Sequence, residues 1–300
     1  MTSGDLKMRR LLIAVMVSTT LVAATGCASA SHSDESPAVT TRAAPGYAVR
    51  GIYDRDSSAT GFDDEARLGF NFIDSDVFDD FDELAARDLR GFVWLGGYSN
   101  VSCSFRENDA WIRKHVSAIA DSPGVGAYFI DDEPDAAKCP GAPAQMKARS
   151  DLVKSIDPGP PTFLVTYKID QFALFADTVD VLGLDVYPCS IEGGCDYTKI
   201  DVQAAEAEHL GVRYWGVIQA FGDDWYKLPT SDELHRQFMH WRATKMEGYL
   251  VFAWHHPEGM HSLWLANDPR LQAQLAKENA RSWAAPDGVA LEPHLAMQRQ

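Results

Sequence analysis

The 300-residue chain carries a formal net charge of −16, with 43 acidic residues against 27 basic ones. Such acidity argues against nucleic acid as a partner and against binding to anionic membrane surfaces, because both would repel the chain. The net charge does not identify a substrate, so the function has to be inferred from the motifs along the chain.

The first 27 residues predict an exported chain. A basic start, MTSGDLKMRR, precedes an apolar run at 11–24, which has the length of a signal-peptide core and is short for a membrane-spanning helix. The run leads into ATGC, which resembles a bacterial lipobox with Cys27 as the lipidated residue, although Ala24 stands where a Leu is usual. The alternative is an ordinary cleavable signal that is cut near Ala28 or Ala30.

We expect four regions: a signal peptide with its lipobox at 1–27, a linker at 28–45, a folded domain at 46–285 and a tail at 286–300. The small, polar and proline-containing residues of the linker cannot bury a core. The predicted location is outside the cytoplasm, held at the cell membrane by the lipid anchor, with secretion as the alternative. This anchor is the only membrane contact that we expect, and we predict a monomer.

Four further cysteines lie in the predicted domain, and an even number in an exported chain favours two disulfides. They are Cys103, Cys139, Cys189 and Cys195. Three pairings are possible. The preferred one joins Cys189 to Cys195 across a short loop, which leaves Cys103 for Cys139 by elimination. A zinc site is not expected, because the chain has no CxxC motif and no nearby histidine pattern.

Short apolar or β-branched runs alternate with helix-like stretches along the predicted domain. The strand candidates are YAVRGIY (47–53), FNFID (70–74), GFVWLG (91–96), GAYFID (126–131), TFLVTY (162–167), VDVLGLDVY (179–187), YWGVIQAF (214–221) and GYLVFAW (248–254). Eight strands alternating with helices over about 240 residues predict a single (β/α)8 TIM barrel. An open doubly wound sheet is disfavoured, since no GxGxxG follows the first strand.

Acidic and aromatic residues follow these strands, at the end of the barrel that carries the active site in TIM-barrel enzymes. The fourth strand runs into FIDDEPD, which contains Asp132 and Glu133, and Asp185 lies near the end of the sixth strand. Carboxylates bind sugar hydroxyls and protonate a leaving oxygen, and aromatic faces stack on sugar rings. The pattern therefore predicts a carbohydrate substrate and no cofactor.

The segment GAYFIDDEP, at 126–134, resembles the G-x-Y-x-x-x-D-E-P segment of the fourth strand in barrel glycoside hydrolases, and LDVYP and VIQAFG are similar to their sixth and seventh strands. The resemblance implies that Glu133 is the general acid/base. The like charge of Asp132 beside it would favour protonation of one member of the pair. Pro134 would stop the strand and fix the turn that presents Glu133.

The seventh strand departs from that pattern, because the retaining enzymes carry a nucleophilic Glu where this chain has Gln219. Three interpretations remain open. Asp132 could orient a substrate 2-acetamido group that attacks the anomeric carbon itself. Asp185 or Asp54 could supply a second carboxylate, and its distance from Glu133 would then decide between retention and inversion. In the third, the barrel binds glycan without cleaving it.

Other side chains near the strand ends are expected to shape the sugar site. They are Trp94, Tyr187, Gln219, Trp254 and His255, with Asp54 after the first strand. No metal site is expected at His255 and His256, because consecutive residues of an extended chain point in opposite directions. Three loop acids are expected to cap turns or helices rather than bind sugar, namely Asp135, Asp223 and Asp224.

Overall fold

The computed structural model describes residues 49–53, 61–75, 78, 80–255 and 263–281. Eight parallel strands of these residues close into a barrel. They are β1 (Val49–Ile52), β2 (Phe72–Ser75), β3 (Arg90–Trp94), β4 (Val125–Asp132), β5 (Thr162–Thr166), β6 (Val181–Asp185), β7 (Tyr214–Gln219) and β8 (Gly248–Phe252). Each strand pairs with its neighbours in sequence, and β1 pairs with β8 to close the barrel.

A helix separates each strand from the next, and the last helix follows β8. The helices are α1 (Gly61–Arg67), α2 (Phe81–Ala85), α3 (Asp109–Ile119), α4 (Ala142–Ile156), α5 (Phe172–Phe175), α6 (Thr198–Leu210), α7 (Ser231–Arg242) and α8 (Pro269–Asn279). The predicted (β/α)8 barrel is therefore confirmed, and all eight strand candidates contain a strand.

Aromatic side chains fill the interior of the barrel. The rings of Phe129 and Phe163 stack with their centroids 4.5 Å apart, and Phe92 and Trp215 pack edge-on or tilted against Phe163. The inward-facing residues form one buried cluster, and the residues that face the helices form a second, larger one. The interior is thus a packed core and not a channel, which leaves the carboxyl ends of the strands as the place for a site.

The helices pack closely on the strands where a strand lacks a side chain. Trp241 of α7 is fully buried against Gly216 of β7, and a Cβ atom at Gly216 would lie only 2.8 Å from the indole ring. The start of α7 is fixed by a capping box between Thr230 and Glu233, which satisfies backbone N–H groups at the helix start. These contacts hold the seventh βα unit in register.

Two disulfides form as the sequence analysis preferred. Cys103 is bonded to Cys139, and Cys189 to Cys195. No helix among the described residues is long and apolar enough to cross a membrane. The expectations for Cys27, the signal peptide, the linker and the tail concern residues outside the described ranges.

Candidate functional site

A β-bulge at the end of β4 decides which acidic side chain faces the barrel axis. Phe129 pairs with Phe163 of β5, but the next pairs are Asp131 with Leu164 and Asp132 with Val165, so Ile130 is an extra residue. The bulge changes the side-chain alternation. Asp131 falls in register with outward-facing Leu164, and Asp132 with inward-facing Val165.

Glu133 follows this bulge in an unusual backbone conformation. Its φ is +50°, in the left-handed region that residues other than glycine rarely adopt. Its backbone N–H donates to the carbonyl of Val165 at 2.9 Å, which continues the pairing with β5 by one residue. The side chain is half-buried, whereas Asp132 is exposed. An observed backbone outlier of this kind is typical of functional sites.

Asp185 ends β6 and contacts Glu133. Its side chain is 6% exposed, and its Oδ1 has no hydrogen-bond donor among the described residues. Burial raises the pKa of Asp185 well above the usual carboxyl range, and the hydrogen bond to Glu133 and the nearby charges of Asp132 and Glu133 raise it further. A raised pKa keeps Asp185 protonated at a pH where an ordinary carboxyl group has ionised, and a protonated carboxyl group can donate a hydrogen bond to Glu133.

Asp131 is buried on the helix side of β4. Its Oδ1 accepts a hydrogen bond from the backbone N–H of Tyr98 at 2.5 Å, and its Oδ2 has no partner among the described residues. Burial raises the pKa of Asp131 to about 8. Asp131 therefore holds the loop after β3 in place. Its side chain points toward the helices and not toward the barrel axis.

The carboxyl group of Asp135 is engaged in contacts within the protein, which agrees with its expected role in capping a turn. Its carboxylate pairs with Lys168 at 2.5 Å, accepts from Gln171, and accepts from the backbone N–H of Ala137. The hydrogen bond from Lys168 is the main cause that holds the pKa of Asp135 below its usual range. Asp223 likewise accepts from two backbone N–H groups of its own loop.

The amide of Gln219 is occupied by backbone groups. Its Oε1 accepts from the N–H of Cys189 at 2.9 Å, and its Nε2 donates to the carbonyls of Cys189 and Lys227 at 3.0 and 2.9 Å. Both amide hydrogens are used and the side chain is fully buried. Gln219 thus joins the loops after β6 and β7, and it has no hydrogen left to offer a sugar hydroxyl.

Aromatic side chains surround the carboxyl pair on the β6–β8 side. Tyr187 packs edge-on against Phe221 and Tyr226, with centroids 4.9 and 5.3 Å away. Desolvation, and then the charge of Asp185, raise the pKa of Tyr187 above its usual value. Among the exposed rings, Trp225 follows β7 with 69% exposure and Trp94 ends β3 with 47%.

Trp254, by contrast, is 7% exposed and packs in the cluster that faces the helices. It offers no open ring face for a sugar. His255 is exposed at the end of β8. Asp54 and His256 lie outside the described residues. No group of three metal-ligating side chains occurs in the described part of the chain.

Sequence reasoning missed Asn100, which contacts both sides of Pro134. Its Nδ2 donates to the carbonyl of Glu133 at 3.0 Å, and its Oδ1 accepts from the N–H of Asp135 at 2.8 Å. The stretch GGYSNVSC around it indicates a turn, since Gly96 and Gly97 both have positive φ. Nothing in that stretch indicates a partner more than 30 residues away.

The sequence matches no family model and no curated protein. The fold does have solved relatives. One is a GH2 beta-galacturonidase from Eisenbergiella tayi, with a TM-score of 0.61 and 15% identity over 80% of this chain. Another is a beta-D-glucuronidase from Dictyoglomus thermophilum, with a TM-score of 0.56 and 13% identity over 81%.

A Bacteroides thetaiotaomicron protein, provisionally named an alpha-L-fucosidase, has a TM-score of 0.55 and 14% identity, and the match covers 85% of this chain and 99% of that one. The chain spans about half the length of the other two relatives, since the matches cover 52% of each. At these identities the likeness shows a shared fold. That fold is one used by glycoside hydrolases.

Proposed function

We propose that this chain hydrolyses O-glycosidic bonds in a cell-envelope or extracellular glycan, with Glu133 as the general acid/base. The observation that carries the proposal is the position of Glu133 directly after β4, beside the buried carboxyl group of Asp185 at the end of β6. This is the end of the barrel where TIM-barrel enzymes perform their chemistry. A glycosidic oxygen that docks at a protonated Glu133 would receive its proton as the bond to the anomeric carbon breaks.

We assign Asp185 to act on Glu133 and not on the sugar, because its carboxyl group is buried beside Glu133. A carboxylate nucleophile has to reach the anomeric carbon, and a buried carboxyl group is poorly placed to do so.

We assign Asp132 to the sugar, because the bulge sets it in register with inward-facing Val165. We infer that it orients a 2-acetamido group, whose oxygen attacks the anomeric carbon while Glu133 gives its proton to the leaving oxygen. Water then opens the cyclic intermediate, and Glu133 takes up the proton of that water. No protein nucleophile is needed, which agrees with the backbone role of Gln219.

Export is part of the proposal. The two disulfides are compatible with an oxidising compartment, and the apolar start with its ATGC segment supports a lipid anchor at Cys27. The resemblance of GAYFIDDEP to the fourth strand of barrel glycoside hydrolases supports the role of Glu133. The solved relatives support glycan hydrolysis in general, through their fold.

A glycan-binding protein without catalysis is the second candidate. It is favoured by Gln219, which stands at the expected nucleophile position with its amide fully engaged. A binder would keep the exposed rings of Trp94 and Trp225 and would release no sugar.

One assay separates the two candidates. The wild type and Glu133→Gln are incubated with N-acetylated glycans and with the same glycans after de-N-acetylation, and released reducing ends are measured. We expect release by the wild type alone, and only from the acetylated forms. Equal release from both forms would refute the role of the acetamido group. Binding without release by either protein would establish the second candidate.

A further inference from the structure

A small hairpin after β3 lies against the turn that carries Glu133. The hairpin pairs Tyr98–Ser99 with Ser104–Phe105 in antiparallel fashion. Two contacts hold the hairpin in place, one on each side of this turn. Before the turn, the N–H of Tyr98 donates to Asp131. Beyond it, Cys103 forms a disulfide with Cys139, and the two Cα atoms are 5.3 Å apart.

Asn100 lies between the residues that make these two contacts, and its side chain contacts the turn itself. Its amide donates to the carbonyl of Glu133 at 3.0 Å and accepts from the N–H of Asp135 at 2.8 Å. The side chain therefore spans Pro134, which has no N–H of its own. Both ends of the amide are used, so it fixes the peptide groups on either side of the proline.

The turn needs such support because of the backbone of Glu133. A φ of +50° is unfavourable for a residue with a Cβ atom, and it persists only where surrounding contacts determine it. Relaxation of this angle would redirect the side chain of Glu133. Misplacement of a catalytic group by about 1 Å can cost about 10²-fold in rate.

We propose that Asn100 is a positioning residue that holds the turn of Glu133 and so fixes where the carboxyl group of Glu133 lies. The consequence for catalysis rests on the proposed function, whereas the positioning of Glu133 does not. The hairpin that carries Asn100 is held in place by the Cys103–Cys139 disulfide. Aspartate could not replace Asn100, because it keeps the acceptor for Asp135 and loses the donor to Glu133.

The test compares Asn100→Ala and Asn100→Asp with Val101→Ala. Val101 is the next residue of the hairpin and is 96% exposed, so its variant is a matched control. Carbon-13 NMR follows the side-chain carboxyl groups through a pH titration, with Glu133→Gln and Asp185→Asn to assign the two resonances. Thermal unfolding shows which variants are folded.

In the wild type and in Val101→Ala, we expect the pKa of Asp185 to lie well above the usual carboxyl range, because the group is buried and lies beside Glu133. In both Asn100 variants the pKa of Asp185 should fall, because Glu133 no longer lies beside it. With a cleavable glycan, kcat should fall by about 10²-fold, while KM stays within about twofold. If Asn100→Ala does not fold, Asn100→Asp decides, because it removes the donor to Glu133 and keeps the acceptor for Asp135.

A pKa of Asp185 in a folded Asn100 variant equal to that of the wild type would overturn the proposal. So would a kcat equal to that of Val101→Ala in an active enzyme. If the wild type releases no sugar, the proposed function fails, and the carboxyl titration still decides whether Asn100 positions Glu133.

Discussion

The buried carboxyl group of Asp185 lies beside Glu133, although Asp185 ends β6 and Glu133 follows β4, and these two strands are not adjacent in the barrel. Burial and the neighbouring carboxyl groups raise the pKa of Asp185, so a proton is kept at this place. A glycosidic leaving group needs such a proton at neutral pH, where an isolated carboxyl group has lost it.

Asp185→Asn should remove this proton. The amide can still donate a hydrogen bond to Glu133 but cannot supply a proton. We expect kcat/KM to fall by about 10²-fold, and the alkaline limb of the pH–rate profile to move to lower pH, because the raised pKa of Asp185 no longer contributes to it. The measurement is that profile on a cleaved glycan. Asp170→Asn, at an exposed position, is the control. An unchanged alkaline limb would show that Asp185 does not hold this proton.

Gln219→Glu should destabilise the protein and create no nucleophile. A carboxylate would face the carbonyls of Cys189 and Lys227, which now accept from the amide. We expect a loss of about 3 kcal/mol or more in the free energy of unfolding, because buried acceptors lose their donors beside a buried charge. Denaturant unfolding measures the loss. A gain in glycan hydrolysis with unchanged stability would instead show that the position is a vacant nucleophile site.

Asp131→Asn should change how stability depends on pH. The pKa of Asp131 is raised to about 8 in the folded chain and is near 3.8 in the unfolded chain. The folded state therefore keeps a proton that the unfolded state releases. The contribution of Asp131 is fully present below pH 3.8. Above it, the free energy of unfolding falls by about 1.4 kcal/mol per pH unit until the folded group ionises.

In Asp131→Asn the free energy of unfolding lacks this dependence on pH, because the amide does not titrate. The amide oxygen can still accept a hydrogen bond from the N–H of Tyr98. We expect its stability relative to the wild type to rise between pH 5 and 7.5, by about 1.4 kcal/mol per unit. Denaturant unfolding at several pH values measures the difference, with Asp121→Asn at an exposed position as the control. A constant difference over this range would mean that Asp131 ionises normally.

Trp225→Ala should weaken glycan binding and leave the fold intact. The ring is 69% exposed, and the next residue, Tyr226, packs on Tyr187 beside the carboxyl pair. We expect a stability change within about 0.5 kcal/mol, as for most surface substitutions, with KM raised several-fold and kcat little altered. Met239→Ala on α7, 50% exposed, is the control. Equal KM values for the two variants would exclude Trp225 from the glycan site.

The sequence predicted the barrel well because its signals are local. Strand candidates such as TFLVTY and YWGVIQAF are apolar runs bounded by turn residues, and the pattern alternates with helices without interruption. The disulfide between Cys189 and Cys195 closes a short loop, so its pairing was also a local inference. The position of Glu133 directly after a buried strand followed from the same reasoning.

The details of the site depend on contacts that no local pattern encodes. The bulge at Ile130 exchanges the directions of Asp131 and Asp132, and strict alternation would have given the opposite result. Asn100 acts on residues more than 30 positions away. The sequence predicted that Trp254 would offer its ring to a sugar at the end of a strand. The ring instead packs in the buried cluster that faces the helices. The amide of Gln219 is committed to loop backbone that lies apart from it in sequence.

The role of Glu133 in protonating the leaving oxygen is tested most directly with two glycosides of the sugar that the wild type cleaves. One carries a 2,4-dinitrophenyl group, which leaves without a proton, and the other carries a sugar leaving group, which needs one. For Glu133→Gln we predict a loss of about 10²–10⁴-fold in kcat on the second substrate, and a much smaller loss on the first. Equal losses on both substrates, or full activity on both, would contradict the assignment of Glu133 as the acid.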